Sequence, residues 1–492
     1  MPLAFVLLAC AQTVLGNADL VVSDITGVLT QGTLMTCSGS GRTCMTIADC
    51  NACSVSGSPC LGDGDCGAGE SCVISGDTCT REIAAFSVGT ASCNVGDVPL
   101  VWCDDPSPFC AANEHPVIAQ NMYRLKDNRF EQIGLSWLKH GFAAVDGEGC
   151  GVTCQPAQPA PNLDLLGVGC WDVYGADLNG EQFRLGARSE VNSHTGAFPY
   201  PYVLGWMQTG DAIFKRIQVN TNDLRAELNP GAQYFVEGLY VTPDDAADGN
   251  GNNNASYRRV DIIGPNNLNH YLAFIQDTDT TMDEQQAIRA WKANNPAVVE
   301  TDVQIPGDGL FVLAADATLL GNGFYRYEYA VYNMNSDRSG SSFFVPLPLG
   351  AVIENVGFHD VDYHSGEPYG KLDWSVSITG PGITWETVPY ATDVNANALR
   401  WGTLYNFRFD ANVAPDYSGS VSIGLFKPGT PASIDAATVA PLLAVIDCND
   451  NGIPDSEDIA AGTSTDCDAN AVPDECQADC NGTLIPDDDD LA

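Results

Sequence analysis

The sequence predicts a mainly β protein: two antiparallel, sandwich-like β domains, a disulfide-rich insert within the first, and a C-terminal tail of short repeats. Three observations predict it. Short runs of alternating apolar and polar residues, bounded by Gly, Pro, Asn and Asp, recur through residues 82–263 and 303–439. Eight cysteines crowd the stretch from Cys37 to Cys79, which has few large apolar residues. One phrase beginning Asp-Cys recurs three times after residue 446. A chain of 492 residues with 45% hydrophobic content is long enough for several cores. The composition places a leader at 1–18, a first β domain at 19–300, a second at 301–440 and the tail at 441–492.

The N-terminus, PLAFVLLACAQTVLGNA, holds an uncharged apolar run too short to span a bilayer, which reads as the h-region of an export signal. Cleavage is expected after Ala11, Gly16 or Ala18; Leu7-Leu8-Ala9-Cys10 also has the outline of a lipobox. Leu20-Val21-Val22 and Ile25 open the first strand. From Thr36 to Thr80 the composition shifts to Gly, Ser, Asp and Cys, which cannot build a core and must be stapled, so this stretch reads as an insertion between two strands. The β pattern resumes at Glu82. Val117–Leu125 and Phe130–Leu138 flank Lys126-Asp127-Asn128-Arg129 and read as a hairpin. Further strands are expected at Ile213–Val219, Tyr234–Thr242 and Tyr257–Ile263. A helix is expected over 281–293, with Thr281-x-x-Glu284 as a capping box and Ala287, Ile288 and Trp291 as its apolar stripe.

The second domain shows eight strand candidates: Leu310–Ala314, Phe324–Asn333, Ser342–Leu347, Val352–Tyr363, Leu372–Ile378, Thr384–Pro389, Thr403–Asp410 and Ser420–Phe426. Eight short strands with turns between them indicate an antiparallel sandwich. Tyr325, Tyr327 and Tyr329 share one strand face and read as core rather than as a sugar-stacking platform.

Nineteen cysteines, less Cys10 in the leader, leave an even number, which in an exported chain reads as a disulfide framework. They fall into three even groups: Cys37, Cys44, Cys50, Cys53, Cys60, Cys66, Cys72 and Cys79; then Cys93, Cys103, Cys110, Cys150, Cys154 and Cys170; then Cys448, Cys467, Cys476 and Cys480. Each group is able to close its own bridges, and connectivity stays open. The single Cys50-x-x-Cys53 pair is a weak zinc signal.

The tail reads DCNDNGIPDSEDI, then DCDANAVPDEC, then DCNGTLIPDDDD. Oxygen side chains at alternate positions suit a tight loop around a hard cation such as Ca²⁺. In the first copy Asp447, Asn449 and Asn451 occupy loop positions one, three and five, Gly452 the sharp turn at six, and Ile453 supplies a carbonyl at seven. Asp455 follows at nine and Asp458 at twelve. The second copy offers Asp466, Asp468, Asn470 and Asp474, but has Ala471 at the glycine position and Gln477 at twelve. The third offers Asp479, Asn481, Thr483, Asp487 and Asp490, with Ile485 for the carbonyl. Pro454 departs from the EF-hand pattern because it has no N–H for loop pairing. A solvated, disordered acidic tail is the competing reading.

These copies resemble the aspartate-rich repeats of dockerins and thrombospondin type 3 modules, and the D-C-N-x-N-G-I-P-D form is similar to the tails of secreted planctomycete-type bacterial proteins. The runs YEYAVYNMNSDRSG, GFHDVDYHSGEPY and ALRWGTLYNFRFDA resemble a β domain of uncharacterised proteins of that kind. The resemblance implies export and fold, and brings no chemistry.

Two further metal candidates stand outside the tail. Asp360, Asp362 and His364 would share a face on a strand, and Asp248, Asn250 and Asn252 again alternate in a Gly/Asn loop. A solvated strand face and a flexible loop are the ordinary readings of these patterns. The 63 acids against 21 bases give a net charge of −42, which disfavours nucleic acid and anionic membranes and suits divalent cations. The sequence shows no G-x-S-x-G, H-E-x-x-H or P-loop motif, and no apolar stretch long enough for a membrane helix. The expectation is therefore an exported Ca²⁺-binding β protein with a structural, adhesive or assembly role, whose partner is a surface glycan or another extracellular protein. The alternative is a glycan-active enzyme or carbohydrate-binding subunit docked through the tail.

Overall fold

The computed structural model describes residues 16–37, 43–44, 52–53, 72–73, 79–265, 270–348, 350–379, 381–443, 448–449, 451, 453, 455–466 and 473–476. Among the residues singled out above, Cys10, Cys50, Cys60, Cys66, Cys467, Cys480, Asp447, Gly452, Pro454, Asp468, Asn470, Ala471, Gln477, Asp479, Asn481, Thr483, Ile485, Asp487 and Asp490 lie outside these.

Antiparallel sheets build the fold. Leu20–Cys37 and Cys79–Asn94 pair along nearly their full length, with Trp171–Tyr174 and Ile217–Asn220 beside the latter. The register brings Cys37 opposite Cys79, so the cysteine-rich insert leaves from the far end of a long ribbon. A second sheet is centred on Val117–Lys126 and Gln233–Val241, flanked by Arg129–Leu135, Leu138–His140 and Ala255–Ile263. Leu20, Val22, Ala84, Phe86 and Val88 from the first sheet meet Ile118, Met122, Val236 and Tyr240 from the second. The 117–135 hairpin turns through Asp127 and Asn128, both at positive φ, as a two-residue turn requires and Asp and Asn tolerate.

The second sandwich packs Val299–Gln304, Leu310–Leu319, Tyr325–Asn333, Thr403–Ala411 and Ile353–His359 against Ser375–Thr379, Gly382–Glu386, Gly340–Pro346, Ser420–Leu425 and Ser433–Ala437. Phe311, Leu313, Tyr327, Tyr329, Phe343, Trp385, Phe407 and Phe409 fill its interior. The tyrosine stripe is core, with Tyr327 and Tyr329 buried and Tyr327 stacked on Phe409 at 5.0 Å.

The two sandwiches also share a core. Val117, Ala119, Tyr123, Phe235 and Leu239 point away from the first interior and pack on Val312, Ala314, Ala330, Tyr332 and Leu404. Strands such as VIAQNMYRL and LFVLAADA are thus covered on both faces; the second is near-continuously apolar, and in the first the buried Gln120 and Asn121 are hydrogen-bonded. The expected boundary at residue 300 falls inside Val299–Gln304, a strand of the second sandwich, so the strand sets part just before Val299. The hydrophobic interior is not divided there, because this core draws side chains from both sandwiches.

The helix is shorter than the capping pattern predicts, running Arg289–Asn294. Glu284 has φ of +56°, which ends any helix there. Thr281 Oγ1 instead donates to Asp24 Oδ1 at 2.5 Å and accepts the Ile25 N–H at 3.0 Å, so tertiary bonds to the first strand take the place of the cap. Ala287, Ile288 and Trp291 are buried as the stripe requires.

Cys93–Cys150, Cys103–Cys110 and Cys154–Cys170 close the middle cysteine group within itself, and Cys448–Cys476 ties the tail. Cys93–Cys150 spans 57 residues, a loop closure on the order of 4 kcal/mol in the chain-entropy picture.

Candidate functional site

The first tail loop is organised by Asp458. This residue lies on the helix Asp455–Ala461, one turn after its start, and its carboxylate faces back into the loop. Asn451 Nδ2 donates to Asp458 Oδ2 at 2.7 Å, and Asn449 Nδ2 reaches the same oxygen at 3.4 Å. Thr463 Oγ1 donates to Oδ1 at 2.6 Å. Hydrogen bonds from Thr463 and Asn451 hold the acid below its ordinary pKa. Loop positions three, five and twelve thus meet at one carboxylate. The loop is shaped by Asx turns: Asn449 Oδ1 accepts the Asn451 N–H at 3.1 Å, and Asn451 Oδ1 accepts the Ile453 N–H at 2.7 Å.

Asp455, expected as a ligand at position nine, acts as a brace. It is buried at the helix start and its Oδ1 accepts the Cys448 N–H at 2.9 Å. Cys448, Asp455 and Cys476 lie close together, but the two sulfurs are bonded to each other and offer no thiolate. The same holds for Asp146 beside Cys154–Cys170, where Asp146 accepts the Gly167 and Ala157 N–H groups.

The first and second copies are joined. Glu475 Oε1 accepts from Ser464 Oγ at 2.5 Å and from Asn449 Nδ2 at 3.3 Å, across the Cys448–Cys476 bridge. The Ser464 hydrogen bond leads the causes that keep Glu475 below its usual range. Asp474 is buried in a short 3₁₀ turn, and its N–H donates to the Thr465 carbonyl at 2.8 Å. Asp466, which opens the second copy, is half-buried. The oxygen donors present, carboxylate and carboxamide, fit a hard cation and not a thiophilic one.

The other two metal candidates are placed differently from the alternating-ligand expectation. Ile353–His359 ends before Asp360, so Asp360, Asp362 and His364 sit on irregular chain. Both His364 ring nitrogens are engaged, Nε2 with the Leu135 carbonyl at 2.8 Å and Nδ1 with Ser365 Oγ at 2.9 Å. Asp360 accepts from Asn397 Nδ2. His364 therefore seams the second domain to the first, and the three residues do not form a ligand cluster among the described residues. Compared with known proteins, the chain matches no family model and no curated protein.

The Gly/Asn loop is also structural. Asp248 Oδ2 accepts the Ala18 N–H at 2.6 Å, and Asn250 Nδ2 donates to the Ala18 carbonyl at 2.5 Å. Asn252 Nδ2 donates to Gln304 Oε1 at 2.9 Å, and its Oδ1 accepts from Asn335 at 3.0 Å. Alternation here serves a clamp on the start of the first strand and a tie to the second sandwich.

Sequence reasoning passed over a group of buried polar residues between the sandwiches. Glu237 accepts from Asn121, Tyr123, Tyr332 and the Ala287 N–H, all within 2.7–2.9 Å. Burial pushes its carboxyl up against these donors. Arg188 is fully enclosed and donates to the carbonyls of Ser136, Gly402 and Gln120 and to Asn121 Oδ1. No spacing in the sequence marks these residues, because their partners are from 50 to 214 residues away.

Proposed function

We propose that this is an exported, calcium-binding, disulfide-stabilised β protein with a structural, adhesive or assembly role at the cell surface or in the matrix. The observation that supports the reading best is the meeting of Asn449 and Asn451 on Asp458, at the loop spacing of a calcium ligand set and beside the Cys448–Cys476 bridge. Asn449 and Asn451 Nδ2 and Thr463 Oγ1 satisfy Asp458; a bound cation would take the place of the amide donors, with the carboxamides turned to present Oδ1. The disulfides fit an oxidising compartment. No described helix is long and apolar enough to cross a membrane. The broad, two-layered sandwiches suit a partner such as a surface glycan or a second extracellular protein. Limited proteolysis of residues 441–492 tests the calcium assignment. Millimolar Ca²⁺ is expected to protect the tail and a chelator to expose it; equal cleavage in both conditions contradicts it.

A further inference from the structure

In a chain with 21 basic residues, five of them line one cavity of about 530 Å³: Arg124, Lys126, Arg129, Arg326 and Arg408. It opens where the 117–135 hairpin of the first sandwich crosses the Tyr325–Asn333, Thr403–Ala411 and Ile353–His359 strands of the second. Most of these cations are already anchored. Arg124 is held by Glu131 at 2.6 Å and Asp223 at 2.9 Å. Arg326 makes a two-pronged pair with Asp410, Nε to Oδ1 at 2.8 Å and Nη2 to Oδ2 at 2.9 Å, leaving Nη1 uncommitted.

Arg408 is the exception. The strand register sets it directly opposite Glu328. Glu328, however, is gripped at both oxygens by Arg129, which the hairpin delivers from the other domain. Arg408 is half-buried and has neither ion pair nor hydrogen bond among the described residues. Its side chain lies over Gly357, where a β-carbon would collide with Arg408 Nε. Gly357 follows a bulge containing Asn355 at φ of +53°, and Asn355 Nδ2 also donates to Asp410 at 2.7 Å. The backbone is thus shaped to seat a guanidinium that has no acid of its own. A partly desolvated, unpaired guanidinium is costly, and its planar fork matches a carboxylate, sulfate or phosphate.

We infer that this cavity binds an oxyanion, with Arg408 as the primary fork and Arg326 Nη1 as a second donor. Its size is that of ordinary small-ligand sites. The anion is either free or the acidic group of a saccharide. The site stands independently of the tail and of the calcium reading. The chain as a whole, at net −42, disfavours anions elsewhere on its surface.

Isothermal titration of the full chain at low ionic strength tests this, with sodium sulfate and sodium glucuronate as probes and sodium chloride as the ionic-strength control. Saturable binding of at least one probe is expected. Arg408→Gln should weaken it by at least about tenfold. Arg408→Lys keeps the charge but loses the fork and should also weaken it. Lys292→Gln, which removes the same charge at an exposed remote site, should leave it unchanged. Circular dichroism of each variant checks folding, and Arg408→Gln breaks no side-chain hydrogen bond or ion pair among the described residues. Equal affinities assign the site to a bare oxyanion; tighter glucuronate assigns it to an acidic saccharide. No saturable binding to the native chain, or unchanged binding in both Arg408 variants, overturns the inference.

Discussion

Single residues of this protein are most exposed to solution conditions where histidines are buried. His115 Nδ1 donates to the Cys103 carbonyl at 2.8 Å, which leaves its Nε2 to accept from His140 Nδ1 at 2.9 Å. Both rings are neutral and packed among Phe198, Tyr200 and Tyr202. Burial lowers His115 to about 4 and holds His140 well below the ordinary histidine range. The sign follows directly: an unfolded histidine gains its proton near pH 6.5, while folded His115 resists until about 4. Its contribution is complete above pH 6.5 and is lost as pH falls toward 4. Asp172 and Asp245, pushed up by burial to about 7, act in the opposite sense, since the folded state holds their protons. Comparing native protein with His115→Gln cancels those carboxyls. Between pH 6 and 4.5 the native unfolding free energy should fall more steeply than the variant's, by roughly 1.4 kcal/mol per pH unit. Urea denaturation at a series of pH values measures it, and parallel slopes would contradict the assignment.

At the scale of elements, the beginning of the first strand is fixed more firmly than the sequence suggests. Ala18 is 3% exposed and clamped by Asp248 and Asn250, while the Asp97 N–H donates to the Asn17 carbonyl at 2.9 Å. Cleavage after Ala18 would remove part of the first core. Under the proposed export, N-terminal sequencing of the mature protein should therefore begin at Asn17, whose backbone nitrogen meets Asp97, and not at Asp19. Most strands were legible because two-residue alternation and turn residues are local signals; Thr403–Ala411 and Ser420–Leu425 fall within a residue of their expected bounds. Val299–Gln304, reading VETDVQ, and Ser433–Ala437 went unseen because edge strands carry polar residues that hide the pattern. The candidate site was legible only where its residues are close in sequence, as in Asn449, Asn451 and Asp458. Arg408 was not, because its significance depends on Arg129 taking Glu328 from 199 residues away.

The whole molecule is held as one stack of four sheets, and its middle seam is polar at the centre. Arg188 binds acceptors from both sandwiches, including the Gly402 carbonyl, and Asn121 relays it to Glu237. Arg188→Met leaves several buried carbonyls without donors. It should cost about 3–5 kcal/mol and separate the unfolding of the two sandwiches into distinct transitions in urea. A loss under about 1 kcal/mol with one cooperative transition would show that apolar packing alone couples them. The tail follows these sheets in sequence and carries the proposed function. The most direct test is calcium titration by calorimetry of the native chain and of Asp458→Ala and Asp474→Ala. Binding with a dissociation constant of about 10⁻⁴–10⁻³ M is expected, weakened far more by Asp458→Ala, which removes the acid on which Asn449 and Asn451 meet, than by Asp474→Ala. No calcium-dependent heat in the native chain, or equal loss in both variants, would contradict the account.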